Sequence, residues 1–321
     1  MTTTSSEFER RADPHRRELL VHCYRMLGSM HDAEDAVQET MLRAWRSYDT
    51  FDERRASLRT WLYRIATNAC LTALKSSRRR PLPSGLGQPS EDPEQPLVAV
   101  LERPWLEPFP TPVQGQLASD PALQVTAHEG IRLAFVAALQ LLPARQRAAL
   151  ILRDVLDYPA AEVATMLGTT ATAVNSALQR ARAAVDRLVA YEEPDQQSAA
   201  TSRAVIDQYV TAFESADIEA LTRLLADDVI LEMPPLPLWY SGRDHYGRVI
   251  ARVFRIRGPR WRMLPTVAND QPALGAYVFD GGTYQSHSLQ AFTVVSGRIT
   301  HNIVFQDPAL FPAFGLPPRL A

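Results

Sequence analysis

The stretch VATMLGTTATAVNSALQRARAAV, residues 163–185, holds two helical patterns separated by Gly168. Glycine there suits the tight turn that ends one helix before the next begins. In the second pattern only Val174, Leu178 and Val185 recur at the spacing of one buried stripe. The other faces carry Thr172, Asn175, Ser176, Gln179, Arg180 and Arg182, which are short hydrogen-bonding groups and guanidiniums. Small Ala171, Ala173, Ala177 and Ala181 let the backbone approach a surface closely. A thinly anchored second helix with a polar outer face is the helix-turn-helix pattern, whose second helix lies in the DNA major groove. On this reading Asn175, Ser176, Gln179 and Arg180 face base edges, and Arg182, farther round, faces phosphate. An ordinary helical hairpin shares the spacing and stands as the bland alternative.

Outside this stretch, 321 residues with 46% hydrophobic content leave room for two or three domains with real cores. The two cysteines, Cys23 and Cys70, are too few for a disulfide framework or a zinc site and read as core residues. No metal or cofactor is expected. No apolar run is long enough to span a membrane, and MTTTSSEFERR has no signal-peptide core, so a cytoplasmic protein without membrane contact is expected. The net charge is only −2, so any nucleic-acid surface must be local. Such asymmetry exists. Residues 54–80 carry eight Lys or Arg and no acid, whereas Asp32, Glu34, Asp35, Glu39, Asp49, Asp52 and Glu53 precede them. The sign change between adjacent helices points to two different partners, although charge runs are usually just solvated faces.

Residues 8–80 read as almost continuous helix, with Ala33, Ala36, Val37, Met41, Ala44 and Trp45 on one inward face. Asp35, Gln38, Glu39, Leu42 and Arg46 line the opposite face. The next pattern buries Leu58, Leu62, Ile65, Ala66, Ala69 and Leu74. Residues 81–122 form a proline-rich linker: ten prolines between Arg80 and Pro121 remove donors and fix φ, excluding a sheet or a long helix. Within it RPWLEPFP places Trp105, Leu106 and Phe109 on an otherwise polar tether, either as local collapse or as a docking motif. Helix returns over 123–190, a second linker covers 191–202, and 203–321 read as an α+β domain with its helices ahead of antiparallel strands.

DAEDAVQETMLRAWRSYDTF with LRTWLYRIATNACLTALKSSRRR resembles region 2 of the extracytoplasmic-function sigma factors of bacterial RNA polymerase. LLPARQRAALILRDVLDYPAAEVATMLGTTATAVNSALQRARAAV resembles region 4 of the same family. ADDVILEMPPLPLWYSGRD and DPALFPAFGLP resemble the SnoaL-like (NTF2-like) cone domains. The combination, with WLEPFP in the linker, is similar to the sigma-G-like branch. The implied fold is multidomain: two all-α sigma domains, namely a region 2 bundle and a region 4 helix-turn-helix, plus a C-terminal α+β cone domain.

What the resemblance implies can be stated residue by residue. Asp35, Gln38, Glu39 and Leu42 would dock on the clamp helices of core RNA polymerase. Arg59, Tyr63, Arg64, Asn68, Lys75 and Arg78 would hold the opened minus-ten strand of promoter DNA, with Trp45 and Trp61 kept for the core. Thr172, Asn175, Ser176, Gln179, Arg180 and Arg182 would read the minus-thirty-five element. Trp105, Leu106 and Phe109 would form a regulatory contact through which the C-terminal domain modulates activity in cis. That domain could bind a small molecule or make an intramolecular contact. Relatives of its fold include cyclases and isomerases, and Glu232, Trp239, Tyr240, Asp244, His245, His287, His301 and Asp307 could include a catalytic set, but no spacing shows one. The chain has no nucleotide-cradling glycine motif, HExxH or nucleophile elbow, so no catalytic residue is assigned and no enzyme is expected. Two alternatives stay open: a stand-alone helix-turn-helix regulator, and a SnoaL-like isomerase or cyclase fused to a DNA-binding segment.

Overall fold

The computed structural model describes residues 2–76, 79–111, 131–189 and 199–321. The chain divides into two compact units, Met1–Arg80 with Ala118–Glu192, and Pro81–Leu117 with Glu193–Ala321.

The first unit is helical. It runs through α1 (Thr2–Ala12), α2 (Arg16–Leu27), α3 (Met30–Ser47) and α4 (Leu58–Ser76), and resumes with α5 (Leu133–Leu141) and α6 (Ala144–Leu150). A π turn at Ile151–Val155 leads to α7 (Ala160–Leu167) and α8 (Ala171–Val189). Gly28 ends α2 at φ 70°, and the Ser29 hydroxyl caps α3 by accepting from the Asp32 amide at 3.2 Å. Ala33, Val37, Met41 and Ala44 bury the inner stripe of α3, and Leu62, Ala66 and Cys70 that of α4. Both cysteines are free and buried.

Trp45 departs from the sequence expectation, being 51% exposed. Ala44 already completes the seam, and one residue further turns the helix by about 100°, onto the side of Gln38 and Leu42. Trp61 is half-buried, its ring 4.9 Å from that of Phe51. Ile65 and Leu74, expected inside, are also only half-buried.

Arg147 of α6 shows how the helices of this unit hold together. It is 2% exposed. One Nη donates to the Met26 carbonyl and to Gln140 Oε1, and the other to the carbonyls of Gln140 and Leu142. A single guanidinium thus satisfies carbonyls at the ends of both α2 and α5. Burial pushes its pKa down to about 10.

The second unit contains α9 (Ala199–Glu214), α10 (Ile218–Arg223), β1 (Leu225–Glu232), β2 (Trp239–Ser241) and α11 (Arg243–Arg257). Then follow β3 (Trp261–Ala268), β4 (Gln271–Asp280), β5 (Thr283–Val295), β6 (Arg298–Phe305) and β7 (Arg319–Leu320). The strand order is β2-β1-β6-β5-β4-β3, with β7 on β5; β1 and β6 pair parallel and the others antiparallel. Asp217 caps α10 by accepting from the Ala220 amide at 2.9 Å. Helices do not all precede the sheet as the sequence reading has it, because α11 sits between β2 and β3. Its Tyr246, Val249, Ile250 and Phe254 join Tyr209, Phe213 and Trp261 in the core.

The described part of the proline-rich segment belongs to this unit and runs along it as a strap. The Ser90 amide donates to the Trp239 carbonyl at 2.8 Å, and Val100 to Pro235 at 3.0 Å. Phe109 and Asn269 exchange two bonds, 2.7 Å to the Asn269 side chain and 2.8 Å to the Phe109 carbonyl. Leu82, Trp105, Leu106 and Phe109 are buried. As the prolines require, the described strap contains only a 3₁₀ turn at Pro83–Gly85 and an isolated bridge from Pro110 to Ala268.

Candidate nucleic-acid interface

The α7–α8 unit has the expected geometry. Gly168 closes α7 at φ 60°, and the Thr169 amide reaches back to Ala164 at 2.9 Å. Thr170 Oγ1 then accepts from the Ala173 amide at 3.2 Å, starting α8. Val174, Leu178 and Val185 are buried. Ala181 is fully buried as well, so it belongs to the anchoring stripe and not to the face open for close approach. Thr172, Asn175, Gln179 and Arg180 are exposed and Ser176 half so. Arg182 is bound by both Asp154 carboxylate oxygens at 2.7 Å, which fixes its guanidinium at the edge of that face.

On α3, Asp35, Gln38 and Leu42 stand exposed and Glu39 is half-buried, bonded to Arg43 at 2.6 Å. Leu42 is 48% exposed, and Trp45 extends the same stripe at i+3 and i+7 from Leu42 and Gln38. Reading only for seam residues misses Trp45; its heptad distance from Gln38 is the signal that finds it.

The α4 residues are placed differently. Arg59 donates to Glu18 at 2.8 Å and to the Tyr158 hydroxyl at 3.2 Å. Its guanidinium lies 4.8 Å from the Tyr63 ring centre. Tyr63 is 1% exposed and donates to Glu18 at 3.1 Å, so the ring proposed for DNA is a core group in this conformation. Burial pushes its phenol pKa up. Asn68 donates to the carbonyls of Arg64 at 2.8 Å and Met166 at 3.4 Å. Arg64 and Lys75 are exposed, and Arg78 lies outside the described residues. Glu18 and Tyr158, which no sequence motif marks, therefore hold the centre of this surface.

In the second unit Glu232 of β1 and His301 of β6 come together at 2.8 Å. The parallel register sets His301 opposite Ile230, two residues before Glu232 on the same face of β1, so the pair forms on the diagonal. The other Glu232 oxygen accepts from the Ser84 amide of the strap at 2.7 Å, and Glu232 is inaccessible to solvent. Tyr209, Tyr246, Gln290 and Asn302 form a second buried network, with the two phenol oxygens 2.9 Å apart. Trp239 donates to Gly87 and His245 bonds the Ser241 carbonyl, while Asp307 caps the turn after β6. His287 packs edge-on to Trp261, and Asp244 is exposed. Among the described residues no group of three His, Cys, Asp or Glu could hold a metal, and no helix is long and apolar enough to cross a membrane.

Comparison with known families defines the class. Residues 12–80 match Sigma-70 region 2, residues 132–185 match Sigma-70 region 4, and residues 206–302 match the SnoaL-like domain. ECF RNA polymerase sigma factor SigG of Mycobacterium tuberculosis is 47% identical over 98% of this chain and 85% of that protein. SigJ of the same organism is 29% identical over 95% of this chain and 94% of its own. The crystal structure of the M. tuberculosis extracytoplasmic function sigma factor SigJ superposes with a TM-score of 0.66 at 26% identity, covering 98% of this chain and all of that one. The chain belongs to the ECF RNA polymerase sigma factors, with a C-terminal SnoaL-like domain. Its partners are accordingly core RNA polymerase and promoter DNA.

Proposed function

We propose that the sigma work is divided among three surfaces and that the C-terminal unit adjusts it in cis. The α3 stripe of Asp35, Gln38, Glu39 and Leu42, lengthened by Trp45, docks on core polymerase. Residues of α4 and its basic continuation, Arg59, Tyr63, Arg64, Asn68, Lys75 and Arg78, hold the opened minus-ten strand once Arg59 and Asn68 leave Tyr158 and Met166. The α8 face of Thr172, Asn175, Ser176, Gln179 and Arg180 reads the minus-thirty-five element, with Arg182 on phosphate.

The observation that carries this reading is the α3 stripe. A leucine and a tryptophan about half exposed beside acidic groups serve no folding purpose within the helix bundle. A stand-alone DNA-binding regulator has no use for that face. Titrating core polymerase with the Leu42→Ser and Trp45→Ala variants is the test. Each should bind more weakly than wild type with an unchanged unfolding midpoint; equal affinity sinks the assignment.

The C-terminal unit acts through the strap. Docking about thirty residues of the connection between regions 2 and 4 shortens the free chain available to them, and so biases the geometry that polymerase meets. Phe109→Ala should loosen the strap and change promoter-dependent transcription. No catalysis is assigned to this unit. Both Glu232 oxygens are already engaged and shielded, so this carboxylate is not free for a substrate, and the relatives are sigma factors. The site of action is the cytoplasm, where polymerase works.

A further inference from the structure

Residues 243–262, RDHYGRVIARVFRIRGPRWR, carry seven arginines and one acid in a chain whose net charge is −2. Helix α11 commits its apolar side to the core through Tyr246, Val249, Ile250 and Phe254. Arg248 and Arg255, at i and i+7, therefore lie exposed on the outer row with Ala251, and Arg252 at i+4 joins them with its side chain 12% exposed beneath the strap. At 1.5 Å per residue the row spans about 10 Å, roughly three nucleotide steps of one strand. Every cation is arginine, the side chain whose planar fork fits phosphate oxygens.

What lies on this row in the structure is an anion. Glu94 of the strap places its carboxylate oxygens 2.7 and 2.8 Å from Arg255 Nη2, with Arg252 Nε at 3.7 Å. Arg252 also donates to the carbonyls of Pro93 and Gln95 at 2.7 Å. Glu91 and Asp92 stand next to Glu94 in sequence. The Glu94 and Arg255 side chains are 56% and 61% exposed, so water competes for the pair and an incoming polyanion can displace it. A membrane surface is a poor match, since the apolar side of α11 is already used in the core.

We propose that the α11 arginine row is a third DNA contact, binding the backbone of duplex DNA, and that the acidic part of the strap occupies it in the free protein. The contact is separate from α4 and α8. It reads phosphate and so carries no base preference of its own.

The experiment measures anisotropy of the full chain on a labelled 40-base-pair duplex across a salt series. Arg248→Ala with Arg255→Ala should weaken binding roughly 3–10-fold near 0.1 M salt and lower the salt slope by about 2, since each phosphate contact contributes roughly 0.9. The Lys pair R248K/R255K should keep most of the slope. Glu94→Gln, which removes the competing charge without touching the row, should bind about 2–5-fold more tightly. Identical affinity and slope for wild type and the Ala pair overturn the contact. Glu94→Gln binding no more tightly than wild type overturns the strap as its occupant. Vesicles of phosphatidylglycerol and phosphatidylcholine are the control: arginine-dependent binding to them, with DNA binding unaffected, reassigns the row to lipid and overturns the proposal.

Discussion

Helices α3 and α4 pack on each other, yet their outward-directed residues are in opposite states. On α3, Gln38, Leu42 and Trp45 meet solvent and have a partner still to find. On α4, Arg59 and Asn68 are already bonded to Tyr158 and Met166 of the region 4 segment, and Tyr63 is inside. Thr172, Asn175, Gln179 and Arg180 of α8 resemble the α3 stripe in being exposed. The difference teaches that proximity in sequence says little about readiness: under the proposed roles polymerase docks on α3 as it stands, whereas Arg59 and Asn68 must first leave Tyr158 and Met166, with Arg64 and Lys75 already exposed.

The largest expected effect breaks the α3 side of this contrast. Reversing Asp35 and Glu39 to Lys should cost about 2–5 kcal/mol in core-polymerase affinity, the range for charge pairs lost at a desolvated contact. Undiminished binding in a pull-down with purified core would show that the free face is not the docking face. On α8, Gln179→Ala should cost about 1–3 kcal/mol of promoter discrimination if its amide reads a base edge. A competition assay in which promoter and scrambled duplex keep their wild-type ratio would remove that role.

A third prediction concerns the buried side of α4. His22 of α2 is fully buried, bonds Thr67 Oγ1 at 2.9 Å and packs edge-on against Tyr63. Burial, aided by Arg25, pushes its pKa down to about 3. The folded unit keeps this ring neutral while the unfolded chain protonates it near 6.5. Its contribution is therefore complete above pH 6.5 and is lost as pH falls toward 3, by about 1.4 kcal/mol per pH unit. Urea unfolding at pH 6.5 and 5.5 measures the slope, and His22→Asn should flatten it. A slope that His22→Asn leaves untouched belongs to other groups, with His287, lowered to about 4 by burial, the first to examine.

The smallest effect sharpens the comparison most. Tyr158→Phe deletes one hydrogen bond to Arg59, worth about 0.5–1.5 kcal/mol, and leaves the packing intact. The variant should take up a minus-ten single strand more readily than wild type. No gain would mean that region 4 does not hold the α4 surface in check.

Much of this architecture was legible in residue patterns. The α8 stripe, the Gly168 turn and the acidic-to-basic change near residue 54 follow from side-chain size and charge alone. Trp45 went astray because hydrophobicity was taken as burial; helix phase, which the seam residues already fix, assigns it outside. Helix α11 was missed although Tyr246, Val249, Ile250 and Phe254 keep helical spacing, since five arginines dilute the pattern. The partners of Arg59 could not be read, because Glu18 and Tyr158 lie 41 and 99 residues away and no local rule couples them. The Glu232–His301 pair, 69 residues apart, depends on strand register in the same way.

The strap also dictates an order of assembly during synthesis. Ser84 must wait 148 residues for Glu232, and Phe109 must wait 160 for Asn269. At translation rates of about 5–20 residues per second that is roughly 7–30 s in which Leu82, Leu106 and Phe109 have left the ribosome before their binding surface exists. Region 4 is completed inside this interval. A nascent or prematurely terminated chain therefore carries finished sigma regions together with a naked apolar ribbon, a ready substrate for chaperones and proteases. Stopping the chain before residue 203 does not simply subtract a domain; it leaves that ribbon permanently without Glu232, Trp239 and Asn269 to hold it.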